Sequence, residues 1–251
     1  MSDDLLINSV SPACKDIEIN LGSIRERMRL AATEAGRNVN DIRLIAVTKY
    51  MPLEYVQAAM SAGQHCFGEN TVQDALDKQT LLDNPQNEWH FIGHLQSNKA
   101  KSIPVNFAWL HTLDSLKVAR KLSASAVQSE NTLNVLLQVN IANDPDKFGL
   151  PAESLHAFVE ELLGASLAGI RLRGLMTIGR RNDSLDETRA NFAALRKLAE
   201  GCARRYGNQH FSELSMGMSN DFETAIAEGA TMIRVGSSIF GQRPTNAHDY
   251  S

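Results

Sequence analysis

A basic surplus, long apolar runs and paired cysteines are all missing from this chain, and each absence removes a class of function. Lys and Arg number 25 against 29 Asp and Glu, for a net charge of −4. A nucleic-acid surface needs a basic stripe, and no long single-sign run points to a membrane or polyanion either. No apolar stretch approaches the ~18 residues that a membrane span requires. The N-terminus, Met1-Ser2-Asp3-Asp4, is acidic where a secretory signal is basic. The three cysteines, Cys14, Cys66 and Cys202, are odd in number and far apart, with no C-x-x-C pair. That spacing argues against a disulfide scaffold and against any metal site, and it suits reduced thiols in a cytoplasmic protein. Also missing are a G-x-G-x-x-G after a strand, a Walker-type G-K-[ST] and a G-x-S-x-G nucleophile elbow.

What is present is an ordinary globular composition, 43% hydrophobic and 22% charged over 251 residues. That is enough to bury a sizeable core. Apolar positions at helical spacing predict a leading helix over Cys14–Ala35, after a loose lead-in, with Gly36 as its stop. Alternation then begins. Strands are predicted at Ile42–Tyr50, Cys66–Asn70, Trp89–Leu95, Trp109–Leu113, Asn134–Ala142, Arg171–Gly179, Phe211–Met218 and Met232–Phe240. Helices are predicted at Leu53–Ser61, Thr71–Leu81, Ser97–Ile103, Ser115–Val127, Pro151–Leu163, Ser184–Tyr206 and Ser219–Glu228. Pro151 suits a first helical position, where its missing N–H costs nothing. Ser-Leu-Asp-Glu from Ser184 has the form of a capping box. Eight strands, each but the last clearly followed by a helix, predict a single (β/α)8 TIM barrel domain over residues 1–251. Its core spans about 14–242, and a polar tail follows over 243–251. A doubly wound open sheet is the competing architecture.

In such barrels the active face lies at the C-terminal ends of the strands. Three features stand out there. Leu44 to Tyr50 is a β-prone run ending on Lys49, either an amine poised for chemistry or a solvated strand end. Ser215-Met216-Gly217-Met218-Ser219-Asn220 ends strand seven and is read as starting a helix, whose first N–H groups favour an anion. Val235-Gly236-Ser237-Ser238 ends strand eight, where glycine admits a close backbone approach. The loops after strands seven and eight are the fold's usual phosphate cradle, and the competing reading is a plain helix cap and a tight turn. Asp221 and Glu223 count against an anion there unless they point away. A phosphate opposite Lys49 leaves two chemistries open: a Schiff base with a phosphosugar carbonyl, or one with pyridoxal phosphate. Arg234 shares the face of Gly236. It either faces a cofactor ring nitrogen, to which it cannot give up a proton, or forms a salt bridge with an acidic neighbour such as Glu213. His90 and His94 lie ~13 Å apart on an extended strand, too far to share one metal, and a packed or hydrogen-bonded His90 is the default reading, with cofactor contact the alternative.

Together these motifs resemble a known family. Ala46-Val47-Thr48-Lys49, Phe67-Gly68-Glu69-Asn70, Trp89-His90-Phe91-Ile92-Gly93, Leu95-Gln96-Ser97-Asn98-Lys99, Arg173-Gly174-Leu175-Met176-Thr177, Ser215 to Ser219 and Ile233-Arg234-Val235-Gly236 appear in order in the YggS/PROSC (PLPBP) family of pyridoxal phosphate homeostasis proteins. The resemblance covers about Asp41 to Gly241. His94 and Phe148 depart from the family pattern. The resemblance implies a fold type III pyridoxal barrel like the N-terminal domain of alanine racemase, preceded here by the extra helix. It implies pyridoxal 5′-phosphate (PLP) held covalently by Lys49, with Ser219, Gly236 and Ser237 at the phosphate and Arg234 at the ring nitrogen. Asn70, His90 and Met176 are expected to line the ring or its entrance, and Ser215 and Met218 complete the cofactor-binding set. The implied role is PLP binding, buffering and delivery to apo enzymes by a cytoplasmic monomer, with no catalytic residue and no established reaction. Lys99, Lys101, Lys147 and Lys197 are further amines for transient attachment. A PLP-dependent amino-acid racemase and a cofactor-free phosphosugar enzyme are the alternatives. A racemase needs a second acid/base from another domain, for which the sequence leaves no room.

Overall fold

Ile45, Trp109, Leu136, Met176 and Met232 pack together at the centre of the molecule, each from a different parallel strand. They belong to a computed structural model that describes residues 12–180 and 182–242. The expected polar tail and most of the expected lead-in lie outside those residues. The strands are β1 (Arg43–Val47), β2 (Cys66–Glu69), β3 (Glu88–Phe91), β4 (Trp109–Leu113), β5 (Leu133–Asn140), β6 (Leu150–Pro151), β7 (Ile170–Met176), β8 (Glu213–Ser215) and β9 (Met232–Val235). Neighbours run β4-β3-β2-β1-β9-β8-β7-β5, and β4 pairs with β5 to close the ring. The result is the eight-stranded parallel barrel that the alternation predicts, not an open sheet. β6 is a two-residue addition paired to the end of β5 outside the ring.

Nearly every strand is buried on both faces, as a parallel sheet wrapped in helices requires. Period two sorts the side chains. Ile45 faces the interior, and two and four residues later Val47 and Lys49 reach the mouth. On β9 the same period carries Met232 in the interior to Arg234 at the mouth.

The helices are α1 (Pro12–Glu34), α2 (Leu53–Ser61), α3 (Val72–Leu81), α4 (Ile103–Asn106), α5 (Leu116–Gln128), α6 (Leu155–Gly164), α7 (Leu185–Tyr206), α8 (Phe222–Ala227) and α9 (Ser237–Phe240). The leading helix has a structural task. α9 is a single turn, and α1 packs against α2, α8 and α9, filling the ring between the last unit and the first. Ile17, Leu21, Ile24 and Met28 form its buried stripe. Asn20 Nδ2 donates to Ile239 O at 3.0 Å.

Several local expectations change, among them the helix expected over Ser97–Ile103, which is a turn and a 3-10 turn leading into α4 at Ile103. β9 stops at Val235 and the chain turns into α9, so the strand expected over Met232–Phe240 is half strand, half helix. Gly236 makes the break, at φ −122° and ψ −74°. Ser219 does not open a helix: residues 218–221 form a turn, and α8 starts at Phe222. Pro151 is not a first helical residue but pairs with Asn140, and a 3-10 turn at Ala152–Ser154 separates it from α6.

The α7 capping box forms as expected. Ser184 Oγ accepts from Glu187 N at 3.3 Å, and Glu187 Oε2 accepts from Ser184 N at 2.8 Å. Replacing Ser184 by Ala should cost about 1 kcal/mol in denaturant unfolding, as loss of an N-cap does. Gly93 is more demanding. A Cβ built there would sit 2.1 Å from Asn70 O, a backbone atom at the end of β2. Gly93→Ala should therefore destabilise by about 2 kcal/mol or more, measured the same way.

Candidate functional site

The barrel mouth opens into a cavity of about 1070 Å³. Of the ten residues expected at a cofactor, six line it: Lys49, Met218, Ser219, Arg234, Gly236 and Ser237. Strands β1, β8 and β9, adjacent in the ring, bring these together although they are up to 188 residues apart in sequence (237 − 49). The loops after β8 and β9 are joined: Arg234 N donates to Gly217 O at 3.0 Å, and Ser238 N approaches Ser219 Oγ at 3.4 Å. A Cβ on Gly236 would come 3.3 Å from Val47 O. A side chain there would crowd β1, the strand that carries Lys49, which explains glycine at that point.

The acidic residues of this loop have other partners. Glu223 pairs with Arg27 of α1 at 2.5 Å, facing away from the mouth. Asp221 accepts the Met218 N–H at 2.5 Å within the 218–221 turn. Its carboxyl is raised above the usual range by burial, against the pull of Arg234.

Lys49 is half-buried and held by its neighbours on either side. Behind β1, the buried Lys78 of α3 donates to Thr48 O at 2.7 Å and to Glu69 Oε1 at 2.7 Å. It also pairs with Asp74 at 2.9 Å. Thr48 Oγ1 donates to Glu69 Oε1 at 2.6 Å, and Tyr50 N, at φ 62°, donates to Asp74 Oδ2 at 3.2 Å. Residues 48 and 50 are thus tied to one buried charge cluster, which sets the exit of β1. Burial pushes the Glu69 carboxyl up to about 7, against the lowering effect of Lys78.

Arg234 lies beneath the mouth, 5% exposed. Nη1 donates to Ser215 Oγ at 2.6 Å and Nη2 to Thr177 O at 2.9 Å. The salt bridge with Glu213 does not form: Glu213 instead accepts from Thr231 at 2.7 Å and faces Arg173. Burial lowers the guanidinium to about 10, so it stays charged at neutral pH.

Four expected residues do not line the cavity. Ser215 acts through Arg234. Met176 is fully buried in the apolar interior, and Ile178, two residues further along the same face, reaches the mouth instead. Asn70 stands at the end of β2 with Oδ1 buried and unpartnered among the described residues. His90 takes the packed, hydrogen-bonded place that is the alternative to cofactor contact. It is wholly buried below the mouth, stacked on Trp109, with Nδ1 2.9 Å from His111 Nε2 and Nε2 2.9 Å from Glu88 Oε1. Both ring nitrogens are occupied, so its place is the barrel interior and not the ring pocket. Cys66, Glu88 and His90 also lie close enough to be read as metal ligands. Arg43, 3.6 Å from the same Glu88 oxygen, and the bond from His90 identify the cluster as a hydrogen-bonded one.

Sequence reasoning did not place Ile92, Ile178, Arg180 or Asp221 in the cavity, nor Lys147 in its wall. For the isoleucines the signal was available, since each lies two residues beyond an inward-facing position. Lys147 donates to Gly179 O at 2.5 Å across the mouth, which no local pattern reveals. The two departures from the family pattern meet: His94 and Phe148 stack with ring centroids 3.6 Å apart, tying the loops after β3 and β5.

Comparison with known proteins places this geometry. The family model described as "Alanine racemase, N-terminal domain" matches residues 19–244. A pyridoxal phosphate homeostasis protein of Pseudomonas aeruginosa is 42% identical over 229 residues, 91% of this chain and 96% of that protein. One of Escherichia coli K12 is 40% identical over 242 residues, 94% and 98% of the two chains. Among solved structures, PipY of Synechococcus elongatus with PLP bound superposes with a TM-score of 0.79 at 38% identity, over 90% of this chain and 100% of that one. Alanine racemase of Clostridium difficile shares the fold, with a TM-score of 0.69 at 16% identity, over 93% of this chain and 58% of that one. The chain therefore belongs to the pyridoxal phosphate homeostasis protein family, built on the barrel domain named for alanine racemase.

Proposed function

We propose that this chain binds PLP at the barrel mouth, through a Schiff base on Lys49, and serves PLP homeostasis by holding and releasing the cofactor. The observation that carries the reading is the convergence of Lys49, Arg234 and the Ser219 and Gly236 loops on one cavity. The family's PLP-bound member, PipY, supports the choice of ligand. The donor set fits the group. Lys49 offers the amine for the carbonyl. Ser219 and Ser237 offer hydroxyls, and the backbone at Gly236 is open to a phosphate. Arg234 offers N–H donors to the ring nitrogen, and Asn70 Oδ1, buried without a partner, is a spare acceptor beside the mouth.

Bound PLP supplies an electron-withdrawing ring whose strength as a sink depends on a proton at its pyridine nitrogen. Arg234 would meet that atom as a charged donor, and burial does not bring it near neutrality. It therefore accepts no proton and passes none on. The buried cluster around Lys78 holds the backbone on both sides of Lys49, so the amine is presented rather than left to sample solvent. These roles suit storage of the cofactor better than carbanion chemistry. The reading extends to a cytoplasmic monomer that yields PLP to apo enzymes. The free thiols of Cys66 and Cys202 fit a reducing compartment. Among the described residues no helix is long and apolar enough to cross a membrane.

Two measurements test this. Purified protein incubated with PLP should absorb as a Schiff base, and borohydride should fix the adduct on the Lys49 peptide, with both signals absent in Lys49→Ala. Protein that takes up no PLP, or traps it elsewhere with Lys49 intact, overturns the assignment. The loaded protein should also exchange no α-hydrogen of a panel of amino acids with deuterated solvent above the rate of free PLP. Faster exchange would make it a racemase-like enzyme instead.

A further inference from the structure

Beneath Arg234 a chain of hydrogen bonds crosses the barrel interior. Arg234 Nη1 meets Ser215 Oγ at 2.6 Å, and Ser215 Oγ meets His111 Nδ1 at 2.8 Å. His111 Nε2 meets His90 Nδ1 at 2.9 Å, and His90 Nε2 meets Glu88 Oε1 at 2.9 Å. Ser215, His111 and His90 are completely buried. We infer that these three residues form a one-directional relay that holds the Arg234 guanidinium in place beneath the cofactor ring, with His111 as its central positioning residue. The inference rests on the PLP reading for its consequence, though not for its geometry.

Chemistry at the two ends dictates the direction. A guanidinium only donates, so Ser215 Oγ accepts from Arg234 and its one O–H is left for His111 Nδ1. A carboxylate only accepts, so His90 Nε2 carries a proton and donates to Glu88. Between them a neutral His90 accepts at Nδ1 from a protonated His111 Nε2, which leaves His111 Nδ1 free to accept from Ser215. Both ends demand the same arrangement, with each imidazole neutral and protonated at Nε2. One added proton breaks it. With His90 doubly protonated, His111 must turn its proton toward Ser215, whose O–H is then buried without an acceptor.

Burial favours the neutral form of both imidazoles, against the opposing pull of Glu88 on His90. Burial lowers the pKa of both histidines, and His111 is lowered further by His90, Arg234 and Arg43. The hydrogen bond from His90 holds Glu88 at about 2, with help from Arg43. Asp221 is close enough to Arg234 to act on it through its charge. The cationic end of the relay is therefore at the mouth and the anionic end at the opposite rim of the barrel, where Glu88 is part-exposed.

The relay makes two demands that mere packing does not. In the protein without cofactor, nitrogen-15 NMR of the imidazoles should find His90 and His111 neutral and protonated at Nε2 from about pH 6 to 8. An Nδ1-protonated form or an imidazolium at either residue in that range overturns it. In the loaded protein, His111→Leu should weaken PLP binding about tenfold and alter the absorbance of the bound cofactor. His111→Gln should stay within about twofold of wild type, because its amide oxygen accepts from Ser215 and its N–H donates to His90. Equal behaviour of the two variants overturns the relay. The tautomer measurement needs neither cofactor nor variant. Failure to take up PLP would therefore sink the functional reading alone, and a wrong tautomer would sink the relay alone.

Discussion

A charged guanidinium buried in the interior of a barrel is the constraint on which the site depends. Arg234 is held by Thr177 O and Ser215 Oγ, and among the described residues no carboxylate forms an ion pair with it. Removing a charge from water costs several kcal/mol, even after relaxation, and here fixed dipoles meet that cost instead of a salt bridge. A contacting carboxylate would neutralise the arginine and blunt its effect at the mouth. Ser215 comes from β8, which neighbours β9, and Thr177 follows the end of β7, the next strand along, so the closed ring is itself what solvates the charge.

A second buried charge stands on the outer side of the same wall. Lys78 reaches from α3 to Thr48 O, Glu69 and Asp74, fixing the strand end that carries Lys49. The barrel thus treats its two cations differently. One is surrounded by carboxylates and serves as an internal brace, and the other is kept apart from them and aimed at the mouth. Truncating a carboxylate partner of Lys78 leaves an uncompensated buried charge, which makes that arrangement costly to alter. The loops over the mouth are joined more loosely, by the His94–Phe148 stack and by Lys147.

Much of this was legible in the residues. Helix and strand periods gave eight units in the right order, α2 and β4 match their expected bounds residue for residue, and the Ser184 capping box formed as its spacing required. Strand ends were less legible because parallel strands buried on both faces read as continuous apolar runs, with no polar residue to mark the stop. At Met232–Phe240 the apolar run continues through Ile239 and Phe240, yet Gly236 breaks the strand and those side chains pack as a helical turn. His90 was legible as a residue of the β3 end but not by role. Its partner His111 lies 21 residues away in sequence, and Ser215, which His111 joins in turn, lies 104 residues beyond that.

The amino-acid sequence alone determined the barrel, the family and the face on which Lys49, Arg234 and the two serine-bearing loops would meet. Those follow from local periods, strand order and motif spacing, all properties of contiguous residues. Only the tertiary structure decided which polar side chains face the mouth and which face one another. That choice is made by closure of the ring, which brings side chains of β3, β4, β8 and β9 within hydrogen-bonding distance across a buried core.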